Sequence, residues 1–66
     1  MKIHVDREAD GLYLRLNEQA IIESEEVRPG VILDFNAKGE VVGVEMLRIS
    51  TRMQPEEMRS LHFATA

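Results

Sequence analysis

The sequence predicts an α+β fold: a small antiparallel β-meander of four to five strands with one short C-terminal helix. Three observations predict it. Apolar and polar residues alternate in short blocks bounded by glycine, proline and asparagine, the pattern of short strands joined by turns. The one segment with helical spacing comes last, after Pro55. A chain of 66 residues has room for a single domain, 1–66, read here as a β part over 1–50 and a helix or tail over 51–66.

Each element follows from its residues. Lys2-Ile3-His4-Val5-Asp6 alternates, with Ile3 and Val5 on one face. Asp6 to Gly11 is a charged turn closed by glycine. Leu12, Leu14 and Leu16 then alternate with Tyr13 and Arg15. Pairing these two segments as a hairpin turns the leucines inward and places His4, Tyr13 and Arg15 on the other face.

After the polar connection 17–20, Ile21 to Val27 carries three glutamates on two mixed faces, which suits an edge strand kept soluble by charge. A helix over Glu18 to Glu26 competes, because Glu, Gln and Ala favour it. Pro29-Gly30 fits a type II turn. Such a turn splays a two-residue hairpin, so a change of direction or a looser connection is expected here. Val31, Leu33 and Phe35 share a face of the next strand. Asn36-Ala37-Lys38-Gly39 is the strongest turn signal, with Gly39 at the left-handed position. Glu40 to Leu47 returns as a strand with Val42, Val44 and Met46 on one face, making 31–36 and 40–47 the centre of the sheet. Residues 49–54 connect to the helix, where Pro55 starts and Glu56 and Glu57 complement the helix dipole. Met58, Leu61 and His62 follow at helical spacing. A helix of about nine residues is unstable alone in water and needs a surface.

Composition narrows the function. There is no cysteine, which removes disulfides, thiol chemistry and cysteine zinc sites. No apolar run exceeds three residues, so neither a membrane span nor a secretory segment is expected. Twelve acidic against eight basic side chains give a formal charge of −4, which repels phosphate backbones and makes nucleic acid an unfavoured partner. Arg48, Arg52 and Arg59 collect near the C-terminus but read as solvated surface. The serines show no Gly-x-Ser-x-Gly elbow, the four glycines form no phosphate cradle, and the three aromatics are too scattered for base stacking.

Asp6-x-Glu8-x-Asp10-Gly11 resembles the opening of a calcium loop. The twelfth position is Asn17 rather than an acid, and the flanks read as strands rather than helices. A solvated hairpin turn accounts for it better. His4 and His62, the only histidines, have nothing that places them together.

Three ordered blocks carry a resemblance. Met1 to Leu14 (MKIHVDREADGLYL), Glu26 to Phe35 (EVRPGVILDF) and Gly39 to Leu47 (GEVVGVEML) resemble the domain of unknown function 2283 family of small bacterial and archaeal proteins. The resemblance covers about residues 1–50. Arg7 stands where the family often has proline, and Gly11 where it often has a small residue such as alanine. The family brings no activity and no catalytic residue. Some members look like partners of small toxin-like proteins, which implies an antitoxin-like role.

A chain this small buries only about 60% of its unfolded surface, and natural chains of this size usually add a disulfide, a metal or a partner. With no disulfide, the expectation is a non-enzymatic cytoplasmic interaction module, a homodimer or a complex with another small protein, without a cofactor. Met53, Met58, Leu61 and Phe63 are the candidate partner interface, although covering the sheet is their simpler use. The alternative is a metal- or small-ligand-binding domain using His4 and the Asp6–Asp10 turn through Asp6, Glu8 and Asp10.

Overall fold

The computed structural model describes residues 1–65, so Ala66, the last residue of the expected tail, lies outside the described residues. Strands β1 (Lys2–Asp6), β2 (Gly11–Arg15), β3 (Glu23–Arg28), β4 (Val31–Phe35) and β5 (Val41–Leu47) precede a 3₁₀ turn at Ile49–Thr51 and helix α1 (Pro55–Thr65). The strands form one antiparallel sheet in the order β1-β2-β5-β4-β3. The expected α+β class is thus observed. Strand order adds what alternation could not supply: β3, β4 and β5 run as a meander, and β5 closes against β2 of the first hairpin.

Residues 16–22 carry the chain from β2 to the far edge. Backbone bonds tie both ends: Leu16 N donates to Val42 O (2.8 Å) and Ile22 N to Phe35 O (2.8 Å). The Arg15 guanidinium donates to the carbonyls of Asn17 and Gln19. Asn36 Nδ2 donates to Gln19 Oε1 from the opposite hairpin. The expected strand over 21–27 is observed at 23–28, where pairing with β4 outweighs the helix preference of its glutamates.

The Pro29-Gly30 turn departs from expectation. β3 and β4 are direct antiparallel neighbours across it, with Gly30 at φ 77°. A bulge between Glu26 and Arg28 supplies extra local twist, which relieves the splay of such a turn. Arg52 donates to Pro29 O at 2.8 Å, and the Arg48 guanidinium lies against Gly30, so the segment after β5 clamps this turn. The 36–39 turn is as expected: Gly39 N donates to Asn36 O (3.0 Å) and Gly39 has φ 75°. A second bulge sets Val41 opposite Phe35 and Gly43 opposite Asp34, making Val42 the extra residue. Val42 and Ile49 are the buried apolar residues.

Helix α1 packs along β1. Met58, Leu61, His62 and Thr65 are half-buried at the i, i+3, i+4, i+7 spacing of one helix face. The Gln54 backbone N–H donates to Glu57 Oε1 at 3.2 Å, closing the helix start.

Candidate protein-interaction surface

The register assigns every strand residue to one of two faces, because directly paired residues point the same way. One face is aliphatic: Ile3 and Val5 of β1 lie beside Leu14 and Leu12 of β2, which lie beside Val44 and Met46 of β5, which lie beside Leu33 and Val31 of β4. None of these side chains is buried, and Ile3 is 49% exposed. On the β3 margin the face ends in glutamates, with Glu25 opposite Leu33 and Glu23 opposite Phe35.

The molecule is correspondingly thin, 38 × 24 × 16 Å. Its accessible surface is 4856 Å², against roughly 4,250 Å² expected for a folded 7.5 kDa monomer. Its radius of gyration is 12.7 Å, against about 11 Å for a compact chain of this length. Both quantities exceed those of a compact globule of the same length.

The opposite face is polar and internally bonded. His4, Tyr13 and Glu45 line up across β1, β2 and β5. Asp34 of β4 accepts from Tyr13 Oη at 2.7 Å and from Ser24 Oγ at 2.6 Å, so one buried carboxylate joins β2, β4 and β3. Gly43 of β5 lies beneath this bridge. A Cβ there would stand 2.6 Å from Tyr13 Oη and 2.8 Å from Asp34 Oδ2, so only glycine leaves the phenol its path. Residue-by-residue reading missed this constellation; a glycine inside an otherwise valine-rich strand was its one signal.

The expected site residues fall in two groups. His4 and Asp6 line a shallow cleft of about 120 Å³ with Tyr13 and Glu45. The carboxylates of the Asp6–Asp10 turn are spent on structure. Asp6 Oδ1 accepts from Ala9 N at 3.0 Å. The Asp10 carboxylate accepts from Ser50 N at 3.1 Å and from Ser50 Oγ at 2.5 Å. Asp10 has φ 55°, a left-handed conformation that aspartate tolerates. Glu8 is exposed. Among the described residues no group of three His, Cys, Asp or Glu is placed to hold a metal ion. Of the tail residues, Met53, Met58 and Leu61 are half-buried, whereas Phe63 is 89% exposed. His62 Nε2 is buried with no hydrogen-bond partner among the described residues. No described helix is long and apolar enough to cross a membrane.

No curated protein and no solved structure matches this chain. One family model does, over residues 2–50, described as a protein of unknown function (DUF2283). The match spans all five strands and stops at the 3₁₀ turn, leaving α1 outside it. This chain therefore belongs to the DUF2283 family.

Proposed function

We propose that this protein is a non-enzymatic interaction module of the cytoplasm that acts through a stable complex, as a homodimer or with another small protein. The small core carries the reading: among the described residues only Val42 and Ile49 are buried apolar residues, while Ile3, Leu16, Ile21, Ile22 and Phe63 stay exposed on a chain of only 66 residues with no cysteine. The polar face supports it from the other side. Tyr13 and Ser24 both donate to Asp34, and Ser50 donates to Asp10, so these groups act as fasteners. An antitoxin-like role is the specific form of the proposal. A formal charge of −4 favours a basic partner, and neutralisation needs a binding surface but no catalytic group.

The test is light scattering on the purified chain, followed by affinity capture from its natural host. A stoichiometric self-complex, or a stoichiometric complex with a small basic protein, supports the proposal. A chain that stays monomeric at every concentration and retains no partner refutes it.

A further inference from the structure

We infer that the cleft between Gly11 and Tyr13 on the polar face binds the guanidinium group of an arginine side chain presented by a basic partner protein. The inference rests on the interaction-module reading and names the chemistry that its partner must carry.

The cleft has two causes, both in the sheet. Asp6, Gly11 and Leu47 are paired across β1, β2 and β5, and His4, Tyr13 and Glu45 form the neighbouring row on the same face. Gly11 has no side chain, so its row is hollow at β2. Tyr13 leans the other way: its hydroxyl is held by Asp34 at 2.7 Å, over Gly43, in the row on the far side from Gly11. The result is an open cleft of about 120 Å³ lined by His4, Asp6, Gly11, Tyr13, Glu45 and Leu47 among others. No α1 residue lines it.

Charge selects a cation. Asp6 and Glu45 both line the cleft, and Asp6 commits only Oδ1, to Ala9 N. The one ion pair among the described residues joins Lys2 to Glu18, so neither carboxylate of the cleft has a cationic partner. His4, when neutral, adds an acceptor. These groups are not placed to hold a metal ion, since no described group of three His, Cys, Asp or Glu is. That leaves an organic cation.

Size and shape narrow it to guanidinium. A cavity of about 150 Å³ holds a benzene ring, so this cleft suits a flat group that is slightly smaller. Guanidinium is flat and weakly hydrated, stacks on aromatic rings and grips a carboxylate through paired N–H groups. The cleft offers a partner for each property: Tyr13 for stacking, Leu47 for apolar contact, Glu45 and the free Asp6 oxygen as acceptors. An ammonium group, compact and strongly hydrated, gains less from such walls. The open side lets the arginine stem lead back to the partner.

The probe is N-acetylarginine amide, titrated into the native chain and followed by amide NMR. The signals of Gly11, Tyr13 and Glu45 should shift most, saturating in the millimolar range. The citrulline counterpart, of the same shape without the charge, should bind at least about tenfold more weakly, as should the arginine probe to Glu45→Gln. Gly11→Ala fills the floor without a clash, its Cβ meeting nothing closer than 3.7 Å, and should also weaken binding at least about tenfold. If one variant unfolds, the other and the citrulline comparison decide. A basic protein captured from the host should lose affinity in the same two variants. No shift, equal binding of the citrulline compound, or unchanged binding in the folded variants overturns the cleft as a guanidinium site and leaves the interaction-module reading standing. A chain that binds the arginine probe but is monomeric and captures no basic protein overturns the partner and that reading together.

Discussion

Replacing Gly43 with alanine should unfasten the polar face. The added Cβ stands 2.6 Å from Tyr13 Oη, 2.8 Å from Asp34 Oδ2 and 3.2 Å from Tyr13 Cζ, so the phenol has to leave its position over β5. That breaks the 2.7 Å bond to Asp34. A hydrogen bond to a carboxylate contributes about 1.5–3 kcal/mol. Alanine returns about 0.4–1 kcal/mol by restricting the unfolded chain. The net cost is about 1–2 kcal/mol, or roughly 5–15 °C in Tm for a domain of this size. Gly11→Ala is the control. Its Cβ meets nothing closer than Met46 O at 3.7 Å, so it should be neutral or slightly stabilising. Far-UV circular dichroism during urea and thermal unfolding measures both, at one fixed protein concentration because self-association makes Tm concentration-dependent. In a Tyr13→Phe background the Gly43→Ala cost should shrink, since the bond is already gone. Equal melting of Gly43→Ala and Gly11→Ala would refute the reasoning.

Three other substitutions separate fasteners from filler. Asn36→Ala should cost about 2–3 kcal/mol, because its side chain accepts from Lys38 N and Glu40 N and donates to Gln19 and Glu40; urea unfolding checks this, and a change under about 0.5 kcal/mol contradicts it. Asp10→Ala should cost about 1–3 kcal/mol through the Ser50 bonds and the left-handed backbone, with Asp10→Gly losing less because glycine adopts φ 55° freely; the reverse ranking by Tm contradicts it. His62→Leu should stabilise by about 1 kcal/mol, since it removes a buried nitrogen that has no partner among the described residues; a lower Tm means that the imidazole is paired in solution.

The two faces of the sheet were legible because alternation is local. Leu12, Leu14, Val31, Leu33, Val44 and Met46 declare their common face within each strand, and the Asn36–Gly39 turn fixes the register of β4 and β5. Strand order was not legible. β2 meets β5 rather than β3, a pairing set by the 16–22 crossing and its side-chain ties to Gln19 and Asn36, which no short window contains. Proline and glycine at 29–30 identified a turn correctly, but the bulge that makes it a hairpin depends on how β3 lies on β4. The Tyr13–Asp34 bridge joins residues 21 apart and emerges only once three strands are in register. The acidic turn shows the opposite case: spacing suggested ligands, whereas folding delivers Asp10 to Ser50, 40 residues away.

Molar mass in solution, by light scattering after size exclusion at several concentrations, tests the central claim most directly. The proposed homodimer predicts a species of about twice 7.5 kDa that persists on dilution into the micromolar range. A mass of 7.5 kDa at every concentration, with no small protein retained from the host, would contradict it.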